Sequence, residues 1–145
     1  MILKLSIATL LIITSICILA FTPIIFGAPF DPTRNRELKK MLSLKIPKNK
    51  KIVDLGSGNG KIIIAFAEKG YEAHGYEINP LLVLWTKLKI CKKGLRKKAF
   101  VHWKNFWKVN LSKYDVVITF QIFYIMSHLE KKLKKELKKD SIIIS

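Results

Sequence analysis

Apolar residues recur along this chain in three rhythms, and each predicts a different kind of element. The first is continuous: no residue from Leu5 to Phe30 is charged, and Leu5–Phe26 is dominated by Leu, Ile, Ala and Phe. Read as a helix rising about 1.5 Å per residue, that segment spans roughly 30 Å, the thickness of a bilayer's hydrocarbon core. It therefore predicts a transmembrane anchor over residues 1–27. A cleaved secretory signal fits less well, because its apolar region is normally about 7–15 residues and ends in a small-x-small site. Here Phe26 stands where a small residue is wanted. Pro23 is expected to kink or end the helix, and Pro29 and Pro32 to prevent its continuation.

The second rhythm is a series of short, fully apolar runs that alternate with helix-like segments. Lys51–Leu55, Glu72–Glu77, Ala99–Lys104, Tyr114–Phe120 and Ser141–Ser145 read as strands. Between them, Lys61–Lys69 reads as a helix capped by Gly70, and Asn79-Pro80 opens another that runs to about Lys93. The third rhythm is amphipathic: Met126, Leu129, Leu133 and Leu137 fall on one face of a helix over Met126–Lys139, with lysines between them. Strand–helix alternation with apolar strands predicts an α/β fold, a doubly wound, mostly parallel sheet covered on both faces. Residues 28–50 read as a connector with a short helix near Arg34–Leu44, and residues 51–145 as the domain proper. The last strand falls at the end of the chain, where a buried strand is expected, so the domain reads as truncated after its fifth strand.

Charge adds a direction to this picture. The formal net charge is +17. Of 27 Lys and Arg only Lys4 precedes residue 31, and all 10 Asp and Glu follow residue 30, which leaves +16 on the remainder. By the positive-inside rule Arg34, Arg36, Lys39, Lys40 and Lys45 predict a single-pass protein with its domain facing the cytoplasm. Cys17 and Cys91 suggest no disulfide framework, in keeping with a reducing compartment. The positive field favours anionic partners, either acidic lipid at an adjacent membrane or nucleic acid, unless the lysines merely solvate exposed faces.

The densest chemistry lies at Asp54-Leu55-Gly56-Ser57-Gly58-Asn59-Gly60, directly after a strand and directly before a helix. Glycine lets the backbone turn tightly and approach a ligand, and a helix amino terminus presents free N–H groups. That context describes a nucleotide-type site. The spacing is G-x-G-x-G, not the dinucleotide fingerprint G-x-G-x-x-G, and no Walker lysine pattern follows. Glu77 ends the second strand, where an acidic side chain can accept hydrogen bonds from ribose hydroxyls. An ordinary tight turn and a solvated strand end explain either feature singly, but less readily both together.

These residues resemble the first motif of the class I S-adenosylmethionine-dependent methyltransferases, an apolar strand running into Asp-x-Gly-x-Gly-x-Gly. The resemblance implies a Rossmann-like fold with S-adenosyl-L-methionine as cofactor. It assigns Asp54, Gly56, Ser57, Gly58, Gly60, Glu77, Asn79, Asn105 and Phe106 to cofactor binding. The strings Gly75-Tyr76-Glu77-Ile78-Asn79-Pro80 and Lys104-Asn105-Phe106-Trp107 narrow it further. They look like the membrane-anchored protein-lysine methyltransferases that modify the c-subunit of ATP synthase and the adenine nucleotide translocase. The similarity runs from about Pro29 to Ser145. It departs from the family at Asn105, where an Asp is usual and contacts the adenine amino group, and at Thr119–Tyr124, where the family usually carries Pro. The implied acceptor is a lysine of a protein, with membrane proteins among the candidates; an RNA, lipid or quinone acceptor and a non-catalytic remnant are the alternatives.

No catalytic residue can be assigned from the sequence. His74, His102 and His128 read as structural or exposed, Asp115 as a cap at the start of the fourth strand, and no metal-binding cluster is present. Trp103, Trp107, Phe120 and Tyr124 are candidates for the substrate mouth.

Overall fold

The computed structural model describes residues 2–26, 34–120 and 123–145, with side chains over 6–18, 34–120 and 125–145. Its elements are helix α1 (Ile2–Phe26), α2 (Asn35–Ser43), β1 (Lys51–Leu55), α3 (Lys61–Glu68), β2 (Glu72–Glu77) and α4 (Pro80–Lys92), followed by β3 (Ala99–Trp103), a 3-10 turn (Phe106–Lys108), β4 (Val116–Thr119), α5 (Phe123–Glu136) and β5 (Ile142–Ile144). The five strands form one parallel sheet in the order β3-β2-β1-β4-β5. The chain therefore builds outward from β1 to β3, then returns to place β4 on the other side of β1. That reversal makes the β1/β4 boundary the topological switch point, and its crevice lies beyond the carboxyl ends of the strands.

Strand residues alternate between two cores. On one face Ile52, Ala73, Ala99, Val101, Val116 and Ile118 pack with Ile63 and Phe66 of α3 and with Val83 and Ile90 of α4. On the other, Val53, Leu55, Tyr76 and Val117 pack with Tyr114 and with Leu129 and Leu133 of α5. Both sheet faces are thus covered, as the apolar strands predicted. Met126 and Leu137 flank the second cluster, so the amphipathic stripe of α5 lies as its spacing indicated. The helix starts at Phe123, three residues before the expected Met126. The segment before β1 is more than a linker: Met41 and Ile46 join the first core, and the Tyr71 hydroxyl donates to the Ile46 carbonyl at 2.7 Å. Asp115 accepts from the Lys51 N–H at 2.9 Å and pairs with Lys50 and Lys138, the structural role expected of it.

Two expectations need correction. Strand β5 was expected to be buried, but it lies at the sheet edge with Ile142 and Ile143 exposed, and among its residues Ile144 alone packs against the first core. Among the described residues, no helix is long and apolar enough to cross a membrane. The transmembrane anchor, the single-pass localisation with a cytoplasm-facing domain and the membrane contact through the N-terminal helix are therefore not supported.

Candidate cofactor site

Strand β1 ends at the switch point, and the loop beyond it is held in place by β2. The N–H groups of Gly56 and Ser57 both donate to the Tyr76 carbonyl, at 2.9 and 3.0 Å. Gly60 closes the turn by donating to the Ser57 carbonyl at 2.9 Å. Gly56, Gly58 and Gly60 have φ of +80°, +51° and +74°, a left-handed backbone that L side chains rarely adopt. At Gly60 there is a second constraint, since a Cβ would sit 2.2 Å from Thr86 Cγ2 of α4. Gly75 of β2 is confined in the same way: a Cβ would meet Ser57 Oγ at 2.5 Å. The two glycines let α4 and β2 close against the loop.

Glu77 is the organising acid. Its Oε2 accepts from the Gly58 N–H at 2.8 Å, and its Oε1 accepts from the N–H groups of Ile78 and Asn79 at 2.9 and 2.8 Å. The carboxylate thus ties the glycine loop to the start of α4. An ionised carboxylate offers about four acceptor sites, and three of them are taken. One remains open to a ligand hydroxyl, and a second hydroxyl would have to displace a backbone amide. Asp54, on the same sheet face, is buried. Burial, reinforced by the charge of Glu77, pushes its carboxyl up to about 7.

The remaining candidates divide. Ser57 Oγ is buried inside the cradle without a hydrogen-bond partner. Asn79 is occupied in another way: its side-chain oxygen accepts from Leu81 and Leu82 N–H as the N-cap of α4. Asn105 caps the 3-10 turn by accepting from the Trp107 N–H at 2.9 Å, which leaves its second lone pair and its amide group at the exposed rim. The Lys104 N–H donates to the Glu77 carbonyl at 3.0 Å, so the segment carrying Asn105 and Phe106 leaves the sheet beside Glu77. Phe106 is half-buried against the second core.

Two site features were missed in the sequence. Thr86 is fully buried, donates to the Gly58 carbonyl at 3.4 Å and fills the space that Gly60 leaves. Its signal was a hydroxyl in register with Val83 and Ile90 on the helix's inward-facing side. Thr119, at the carboxyl end of β4, has a buried hydroxyl without a partner; the sequence marked it only as the start of the segment that departs from the family. The imidazoles are elsewhere. His74 and His102 lie on the opposite sheet face from Asp54, 3.1 Å apart, and burial holds both below the usual imidazole range. His128 is exposed on α5. Of the mouth candidates, Trp103, Trp107 and Phe120 are exposed, and the Tyr124 side chain lies outside the described residues. Among the described residues no cluster of metal-ligating side chains is found.

Comparison with known proteins places this geometry. Residues 54–145 match the family model of the ANTKMT methyltransferase domain, a match that begins at Asp54. The human ATP synthase C-subunit lysine N-methyltransferase is 36% identical over 117 residues, covering 81% of this chain and 50% of that protein. The mouse adenine nucleotide translocase lysine N-methyltransferase is 34% identical over 124 residues, covering 85% and 54%. The chain therefore spans about half the length of these relatives. Among solved structures, an RNA methyltransferase from Salinibacter ruber in complex with S-adenosyl-L-homocysteine superposes with a TM-score of 0.70 at 25% identity, over 74% of this chain and 72% of that one.

Proposed function

The chain belongs to the ANTKMT methyltransferase domain family, and from that premise we propose that it is an S-adenosylmethionine-dependent protein-lysine N-methyltransferase whose acceptor is a lysine of a membrane-associated protein. The observation that carries the reading is the cradle itself: three positive-φ glycines, a buried partnerless Ser57 hydroxyl and the Glu77 carboxylate, assembled at the switch point of the sheet. These fit a nucleoside carrying a cationic amino-acid group. The glycines keep side chains out of the ligand's space, Ser57 offers a donor and acceptor, and Glu77 keeps a free acceptor site for a ribose hydroxyl. Asn105 offers its remaining lone pair to an exocyclic amine. Asp54, desolvated and close to Glu77, gains a counter-charge when a cation enters, which lowers its carboxyl from about 7 and releases a proton. The cofactor, when bound, supplies an electrophilic methyl group on a sulfonium centre.

The protein's share of the work is alignment and exclusion of water. An in-line displacement that disperses charge gains most from a closed and oriented site. The incoming lysine must be neutral to attack, and desolvation at the crevice favours its neutral form. No described imidazole reaches this face of the sheet, so deprotonation of the acceptor is assigned to the solvent and the site's low polarity.

Isothermal calorimetry with S-adenosylmethionine should show saturable binding that Asp54→Ala and Glu77→Ala each weaken at least tenfold. Absence of binding to the intact chain would remove the transferase reading. Transfer of a tritiated methyl group into membrane extracts, followed by protease, lipase or nuclease digestion, identifies the acceptor. Label released by nuclease would overturn the lysine assignment in favour of RNA, the substrate class of the Salinibacter neighbour.

A further inference from the structure

Helix α4 buries a threonine while exposing four large apolar residues. Val83, Thr86 and Ile90 face the core, whereas Leu81, Leu84, Trp85 and Leu88 are 42%, 57%, 57% and 56% exposed. Their spacing of i, i+3, i+4 and i+7 makes one continuous stripe on the outer surface. Trp103, 67% exposed, extends it: its indole N–H donates to the Ile78 carbonyl at 3.0 Å, beside the amino end of α4. An apolar patch of this kind on a folded domain marks an interaction surface.

The charge around the stripe identifies its partner. From Ile78 to Tyr114 the sequence holds ten Lys or Arg and no Asp or Glu. Lys87, Lys92, Lys93, Arg96, Lys97 and Lys98 are exposed along or just beyond α4. A second copy of the chain would bring like charges together, which disfavours a dimer through this face. A polyanionic surface with an apolar layer beneath it satisfies both features, since Trp and Leu settle at the headgroup boundary while lysines meet the phosphates. We propose that the outer face of α4, with Trp103, docks onto the surface of a bilayer containing anionic phospholipid. The contact is peripheral and needs no helix that crosses the bilayer. It begins at Leu81, four residues after Glu77, so docking brings the proposed cofactor crevice close to the lipid surface, where a membrane-associated acceptor would be met.

The test uses the full chain with Trp103→Phe and Trp107→Phe, which leaves Trp85 as the reporter, since the sequence has three Trp. Phosphatidylcholine vesicles with and without phosphatidylglycerol are the probe, with brominated acyl chains as quencher. Trp85 emission should shift to the blue and be quenched on the anionic vesicles, and barely on the neutral ones. Each basic residue near such a surface is worth about 1 kcal/mol, or about fivefold in affinity. Lys87→Gln with Lys92→Gln should thus lower partitioning on the order of twentyfold, with circular dichroism unchanged. Leu84→Ser with Leu88→Ser should abolish the quenching. Trp85 emission that stays aqueous while the chain sediments with vesicles would overturn the proposal, because another segment would then make the contact. A blue shift without lipid that grows with protein concentration would overturn it in favour of self-association. The docking face stands apart from the transferase reading, which rises or falls on calorimetry with S-adenosylmethionine in the same variants.

Discussion

The two sides of the switch point are built differently. On the β1–β2 side the backbone is tied down, although the buried Ser57 hydroxyl also lacks a partner: Glu77 takes three backbone amides, the Tyr76 carbonyl takes two more, and Gly60 and Gly75 leave space for Thr86 and Ser57. On the β4–β5 side the Thr119 hydroxyl is buried without a partner, and Ile142 and Ile143 at the edge are 39% and 50% exposed. The first side is over-determined and resists change. The second has slack, and substitutions there should be felt less. Four substitutions or titrations test that contrast.

The largest effect is expected from Asp54. Its folded carboxyl sits at about 7 against an ordinary 3.8, so folding favours its protonated form. The sign follows from linkage: the stability it contributes is fully present below pH 3.8 and is lost as the pH rises to about 7. At about 1.36 kcal/mol per unit the loss amounts to about 4 kcal/mol. The imidazoles of His74 and His102, held low by burial, act oppositely and lose stability toward acid. Denaturant titrations of the intact chain and Asp54→Asn between pH 4 and 8 separate the two. The difference between the curves should grow with pH and level off above about 7. A flat difference would mean that Asp54 is not desolvated.

Next comes Gly60→Ala. The substitution meets a left-handed φ and a Thr86 methyl 2.2 Å away, and strain plus overpacking should cost about 3 kcal/mol. Gly70→Ala is its control, because Gly70 also has a positive φ of +88° but nothing within 4 Å. It should cost only about 1 kcal/mol. Thermal unfolding of both variants measures the gap, and equal losses would show that the loop is not pressed against α4.

Glu77→Gln should follow at about 2 kcal/mol, since the amide group cannot accept and at least one backbone N–H loses its partner. Here stability and ligand binding are expected to change together, because the carboxylate that organises the loop is also the proposed partner of the ribose. Calorimetry that shows unaltered affinity for S-adenosylmethionine in a destabilised variant would reduce Glu77 to a purely structural role.

What could be read in the sequence follows the same division. The glycine loop, β1, β2 and the Asn79-Pro80 helix start were legible because their chemistry is local: a left-handed backbone needs glycine, and a cap needs a short polar side chain. The roles of the acceptor atoms were not. Asn105 fits a ligand-binding pattern, yet its oxygen caps the turn Phe106–Lys108, and the expected Asn79 cap uses the oxygen that the ligand-binding pattern had also claimed. On α4 the run Leu81–Trp85 gave no period that told inside from outside, and the fold buries Thr86 while exposing Trp85. The turn Phe106–Lys108 sets Phe106 against the second core, a contact that no local pattern carries.

The smallest effect is expected at β5, and it is the sharpest check on the slack assigned to that side. Ile143 and Ile63 are the same residue in elements of the same domain, one 50% exposed and the other fully buried in the core between α3, α4 and the sheet. Truncation to Val removes one methylene from each. In a close-packed core that costs about 1 kcal/mol, because the neighbours only partly close the gap. At an exposed strand edge the lost group was already half in water, and surface substitutions usually stay within about 0.5 kcal/mol. Ile63→Val should therefore lower the unfolding midpoint by a few degrees while Ile143→Val leaves it nearly unchanged. If the two variants lost the same stability in the intact chain, β5 would have to be covered in solution. The contrast between the two sides of the switch point would then be one of occupancy and not of construction.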